Sequence, residues 1–171
     1  MATKKYLIVN PSTGSPTTQE STVDSSAGAG DSGKLISLDT SGKLDSSFMP
    51  TGFGADTRTV TAGETLAAGD LIYLDSTPEA FKADANSDAK AAVGFVLAGI
   101  TAASSGTAYF GSGIISGLSG LTPGAKYYLS TTAGTIDTAK PNGTGDIIQQ
   151  VGVALSATEL YFEPQPAILL I

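Results

Sequence analysis

The chain contains no cysteine, no histidine and no tryptophan. Lacking thiol and imidazole, a single copy cannot build a Ser/His/Asp or Cys/His nucleophilic system, an imidazole or thiolate metal site, or a disulfide. Catalysis would have to rest on carboxylates, lysine, tyrosine or a bound cofactor, and no catalytic residue, metal site or cofactor is expected. Charge is also scarce. Asp, Glu, Lys and Arg make up 15% of residues, below the usual quarter, while Gly, Ser, Thr and Ala abound. So mild a surface suits a protein held within a larger assembly. With 9 basic residues against 16 acidic ones, the net charge of −7 repels a phosphate backbone, so nucleic acid is not an expected partner. No apolar run approaches the roughly 18 residues of a membrane span. The stretch Tyr6-Leu7-Ile8-Val9 behind Lys4-Lys5 is far shorter than a secretory h-region. The expectation is a soluble product made in the cytoplasm, with no membrane partner.

What is present is a pseudo-repeat. Gly69-Asp70-Leu71-Ile72-Tyr73-Leu74-Asp75 returns as Gly124-Ala125-Lys126-Tyr127-Tyr128-Leu129-Ser130. Phe81 aligns with Ile136, Val93-Gly94-Phe95-Val96-Leu97 with Val151-Gly152-Val153-Ala154-Leu155, and Ala108-Tyr109-Phe110 with Leu160-Tyr161-Phe162. The copies run from about 62–110 and 117–162, with loops of unequal length between the matched blocks. The shared positions are apolar or glycine, which indicates a β framework built twice rather than an active site built twice.

The organisation follows from this repeat. Residues 1–55 read as an extended N-terminal arm with a strand at Lys5 to Val9. A Ser/Thr/Gly/Asp-rich segment follows, too poor in apolar side chains to fold alone. Lys34 to Asp39 and Lys43 to Asp45, flanking Thr40-Ser41-Gly42, predict a small ribbon. Phe48-Met49-Pro50 forms an apolar plug and Gly52-Phe53-Gly54 a linker. Residues 56–171 alternate and turn as an all-β domain, a compact β-sandwich or barrel. Strands are predicted at Thr57–Thr61, Leu71–Leu74, Ala91–Ala98, Thr107–Phe110, Gly113–Ile115, Lys126–Ser130, Ile147–Leu155 and Glu159–Glu163. No helical apolar period is evident, and the Ala-rich stretch from Ala85 to Ala92 is the best place for a helical turn.

Three motifs invite chemistry and fall short of it. Gly28-Ala29-Gly30-Asp31-Ser32-Gly33-Lys34 has phosphate-loop spacing, but Leu35 stands where the metal-binding hydroxyl belongs, and neither a buried strand nor a helix flanks it. Asp84-Ala85-Asn86-Ser87-Asp88 alternates oxygen donors like a calcium loop. It carries Ala89 and Phe95 where that loop needs glycine and a bidentate acid, so a solvated turn is the simpler reading. Gly111-Ser112-Gly113 opens no dinucleotide fingerprint in its β surroundings. The tyrosines Tyr73, Tyr109, Tyr127, Tyr128 and Tyr161 fall on predicted strands, where aromatic rings usually pack a core; a sugar-stacking platform is the alternative. The tail Ile168-Leu169-Leu170-Ile171 is apolar to its end, either as a final strand or as a segment shared between subunits.

These blocks, with Gly117-Leu118 and Leu121-Thr122-Pro123 and the upstream run from Ser26 to Pro50, resemble a β module of tailed-bacteriophage virion proteins. Capsid decoration (cement) proteins, head fibres and tail-fibre-associated proteins are among them. The resemblance implies a non-enzymatic structural protein on the outer capsid surface, a homotrimer whose partner is the major capsid protein. The arm residues Tyr6, Ile8, Leu35, Ile36, Leu38, Phe48, Met49 and Phe53 are then the expected capsid or subunit contacts, and Ile168, Leu169, Leu170 and Ile171 an inter-subunit tail. The alternative is a host-surface module of a head or tail fibre, with carbohydrate as the partner.

Overall fold

The computed structural model describes residues 5–9, 12–20, 22–32, 34–38, 41–49 and 56–171, and the chain separates into two units, Met1–Gly54 and Ala55–Ile171. In the first unit, β1 (Lys5–Val9) and β2 (Pro16–Glu20) pair antiparallel, from Lys5 opposite Glu20 to Val9 opposite Pro16. β3 (Thr22–Val23) and β4 (Leu35–Ile36) pair in parallel. The predicted ribbon is therefore absent among the described residues: β4 turns back to β-branched Thr22-Val23, and Lys43 to Asp45 lie outside any strand. Asp45 caps a 3₁₀ turn at Ser46–Phe48 instead, its Oδ1 accepting the Ser47 N–H at 2.9 Å. Asp39 and Thr40 lie outside the described residues. The phosphate-like glycines form a 3₁₀ turn, Gly28–Asp31, closed by the Asp31 carboxylate. That group accepts the Ala27 N–H and a 2.7 Å hydrogen bond from Lys34 Nζ, so the lysine is spent on its own loop. Lys34 and the Ala27 amide hold the Asp31 carboxyl below its ordinary pKa.

The second unit is all-β. It runs β5 (Asp56–Ala62), β6 (Leu71–Leu74), β7 (Glu79–Lys82), β8 (Gly94–Val96), β9 (Ser105–Phe110), β10 (Gly113–Ser116), β11 (Lys126–Leu129), β12 (Ile136–Asp137), β13 (Ile147–Ile148), β14 (Gln150–Ala154), β15 (Glu159–Phe162) and β16 (Ile168–Leu169). β7 and β12 are additions to the predicted strands; the Ala85–Ala92 stretch holds a 3₁₀ turn, Asp88–Lys90. The predicted strand Ile147–Leu155 is cut at Gln149, where the amide turns inward. Gln149 Oε1 accepts the Ala92 N–H at 2.8 Å, and its Nε2 donates to the Ala92 carbonyl at 3.0 Å and the Gln165 carbonyl at 3.2 Å.

Strand for strand, the sheets repeat. The first copy is a closed barrel in the order β5-β7-β6-β8-β9, and the second is an open sheet in the order β10-β15-β14-β11-β12. β7, β6, β8 and β9 answer to β12, β11, β14 and β15, and β5 answers to β10. The hydrogen bonds repeat too. Gly69 N–H donates to the Val96 carbonyl as Gly124 N–H does to Ala154, both at 2.8 Å. Asp75 N–H donates to Glu79 as Ser130 N–H does to Thr135, both at 3.1 Å. Gly69 and Gly124 both take positive φ, 90° and 77°, the conformation that glycine adopts without strain.

Two apolar clusters hold this unit. Val60, Ala62, Leu66, Ile72, Ala80, Val96, Ile100 and Ala108 fill the barrel, where three alanines suit the narrow bore of five strands. Leu71 and Phe95, one residue from Ile72 and Val96, point the opposite way, into a core shared with Ile115, Leu129, Ile147, Val151, Leu160 and Phe162 of the second copy. Phe95 meets Phe162 edge-on at 5.2 Å and stacks on Tyr109 at 5.3 Å. Main-chain bonds reinforce the join, including Leu71 N–H to the Gly134 carbonyl at 3.0 Å and Gly134 N–H to the Ala83 carbonyl at 2.7 Å.

Candidate functional site

A cleft lies where the two copies differ. β5 is seven residues long, and its last two, Thr61 and Ala62, pair in parallel with Glu79 and Ala80 of β7, which closes the barrel. β10 stops after four residues, because Gly117 turns the chain with φ of 82° at the place Val60 holds in β5. The connection onward to Gly124 is two residues shorter than its counterpart to Gly69. Consequently β10 and β12 do not meet, and a cleft of about 640 Å³ lies at the seam. It is lined by Ile115, Gly117 to Thr122 and Gly134 to Thr138, together with Tyr127 and Ala68 to Asp70. Tyr127 is buried and its hydroxyl oxygen accepts the Thr122 N–H at 3.0 Å. Asp70 Oδ2 accepts the Ala67 N–H at 2.8 Å and lies 3.4 Å from Lys82 Nζ.

A second cleft of about 510 Å³ is lined by Tyr73, Leu74, Val93 and Phe110 with Asp56, Arg58 and Asp88. Tyr73 stacks on Phe81 at 5.8 Å, and Val93 is exposed. The remaining tyrosines are differently engaged: Tyr109 lies against Phe95, Tyr127 is buried, Tyr128 lies under Lys140 Nζ at 5.3 Å, and Tyr161 is partly exposed on β15.

The calcium-like segment is a turn with its donors committed. Asp84, buried, accepts the Asn86 N–H on Oδ1 and the Lys90 ammonium on Oδ2 at 2.9 Å, which raises the pKa of Lys90. Asn86 Nδ2 donates to the Thr131 carbonyl at 2.9 Å, and Ser87 Oγ accepts the Ala89 N–H at 3.3 Å. Among the described residues no group of three carboxylates is placed to hold a metal ion.

The arm residues fall as follows. Tyr6 and Ile8 lie on β1, opposite Gln19 and Thr17. Leu35, Ile36, Leu38 and Met49 are exposed, by 48%, 54%, 56% and 45%, and Phe48 is half-buried. Phe53 lies outside the described residues. Among the described side chains, no hydrophobic residue of this unit is buried. At the other end of the chain, β16 pairs with β13, Ile168 opposite Ile148 and Leu169 opposite Ile147. Leu170 exchanges main-chain bonds with Gly145 and Asp146 at 2.8 Å. The tail is thus a final strand of the domain, yet Ile168, Leu169 and Ile171 still face solvent.

The seam went unnoticed in the sequence because half of its residues are glycines, serines and threonines and the rest are framework residues of the repeat or scattered apolar positions. The shorter run to Gly124 emerges only when β10 is matched to β5 through the pairing with β15 and β9, because along the chain the copies keep equal spacing from 62 to 69 and from 117 to 124. Asp88 of the second cleft lies some thirty residues along the chain from Asp56 and Arg58 of β5, and the three carried no pattern of their own. Among the described residues no helix is long and apolar enough to cross a membrane. The chain matches no protein-family model and no curated protein sequence.

Proposed function

We propose that this is a virion structural protein of a tailed bacteriophage, most concretely a capsid decoration protein that binds the major capsid protein on the outer shell as a homotrimer. The observation that carries the reading is the row of exposed apolar side chains on the first unit, Leu35, Ile36, Leu38 and Met49, which find no core of their own. Side chains of this kind gain roughly 25 cal/mol for each Å² they remove from water. A surface formed by an assembled shell is the partner the resemblance supplies. The second unit would then be the rigid body displayed above the shell, and the exposed Ile168, Leu169 and Ile171 a contact between copies. A protein that binds assembled shells and not their free subunits stabilises the shell by mass action.

The test is to add purified protein to expanded, undecorated capsids. Their disruption temperature should rise, and the triple substitution Leu35→Ser, Leu38→Ser, Met49→Ser should abolish binding while leaving the melting of the second unit unchanged. Binding without any rise in disruption temperature would remove the cementing role.

The alternative, host-carbohydrate recognition, is favoured by one feature. The 510 Å³ cleft sets Tyr73 and Phe110 beside Asp56, Arg58 and Asp88, an aromatic wall with polar groups that could bond hydroxyls. A glycan array probed with wild type and Tyr73→Ala separates the two readings.

A further inference from the structure

We propose that an extended peptide segment of a second protein chain inserts between β10 and β12 and completes the second barrel by strand addition, doing there what the end of β5 does in the first.

Four observations carry this. First, β10 and β12 are the two ends of their sheet, so each has a strand neighbour on one side only, and a strand edge presents unpaired main-chain donors and acceptors. Second, the cleft between them lies where the first copy seats a strand. Leu118 and Ser119, turned aside after Gly117, are the counterparts of Thr61 and Ala62 at the end of β5, and Thr135 and Ile136 are those of Glu79 and Ala80 of β7. Third, the edge of β10 is unguarded. It reads Gly-Ile-Ile-Ser, with no charge or proline, and Ile114 is half exposed, whereas β12 is short and carries Asp137. Fourth, half of the residues lining the seam are glycine, serine or threonine, which let a backbone approach closely and select poorly among side chains. An occupant held there is held mainly through its main chain.

The lining also sets the charge of the guest. Asp137 lines the cleft, as does Asp70 with its charge shared by Lys82, and among the described residues no lysine or arginine lines it, so a neutral or cationic segment is favoured over an acidic one. The Thr-Arg-Thr-Val-Thr-Ala stretch of β5 has this character: β-branched residues, one cation and a small side chain at its end. This inference stands apart from the capsid assignment.

The probe is a synthetic, fluorescently labelled peptide of the β5 sequence, Asp56–Ala62, titrated against the full chain. Saturable binding below about 1 mM is expected, with amide shifts confined to β10, β12 and the loop 117–122. Ser119→Trp and Thr138→Trp, both at exposed positions lining the cleft, should each weaken it by about tenfold or more without lowering the melting temperature. A peptide N-methylated at its valine should lose binding, because it cannot donate to an edge. Absence of saturation at about 1 mM, shifts that map elsewhere, or binding that survives both tryptophan variants would overturn the proposal.

Discussion

Val60 carries β5 onward to its pairing with β7, whereas Gly117, at the same point of the second copy, takes φ of 82° and turns the chain away. The two copies otherwise share strand order, turn hydrogen bonds and apolar positions. A valine and two extra residues make a closed barrel with its own core, and a glycine and a shorter connection make an open sheet. The open copy has no separate core. Tyr127, the counterpart of barrel-filling Ile72, packs with the cluster that joins the copies. Closure thus decides which copy can stand by itself and which must borrow a neighbour, and it leaves the open copy with the free edges.

The sharpest break in the comparison is at matched aromatic positions. Phe162 is fully buried in the shared core, while its counterpart Phe110 is only partly buried against the barrel cluster. Phe162→Ala should cost about 3–5 kcal/mol in urea unfolding and Phe110→Ala clearly less. Equal losses would mean that the cores are not divided as described.

Gly94 and Gly152 probe what the copies share. Neither has positive φ, but an added Cβ would lie 2.5 Å from the Tyr109 carbonyl oxygen in one and 2.2 Å from that of Tyr161 in the other. Each Gly→Ala change should destabilise by about 1–3 kcal/mol, because backbone must move in both cases. Gln149 has no partner in the repeat, and Gln149→Leu should cost about 1–3 kcal/mol by leaving the buried Ala92 amide and carbonyl unpaired. A neutral result would show that water replaces the side chain.

The smallest effect separates the turns. The Thr77 hydroxyl, with the Thr77 and Glu79 amides, holds the Asp75 carboxyl below its ordinary pKa against the opposing effect of burial. Its contribution to stability is therefore present above the unfolded-state pKa and lost as pH falls through the lowered folded value. Ser130 makes the matching bond, Thr132 N–H to its Oγ at 3.1 Å, with no charge to titrate. Asp75→Ser should flatten the acid limb of the stability curve, and Ser130→Ala should leave the shape of that limb unchanged.

Local chemistry made much of this legible. Gly69 and Gly124 before their strands, the alternation in Thr57 to Thr61 and the blocks ending in Phe110 and Phe162 all announce β framework, because turns and period-two burial are written in adjacent residues. The ribbon at Lys34 to Asp45 misled, since a strand records that it wants an edge and not which edge it finds; Leu35-Ile36 found Thr22-Val23. β12, two residues long, is too short for any periodicity to show.

By itself, then, the sequence determined that the domain is β, that it is built twice, and that no thiol or imidazole takes part in its chemistry. Only the tertiary structure decided that one copy closes and the other stays open. Closure depends on whether two strand ends far apart in the chain come within hydrogen-bonding reach, and that is set by Gly117 and the length of a connection acting together with the packing of both copies.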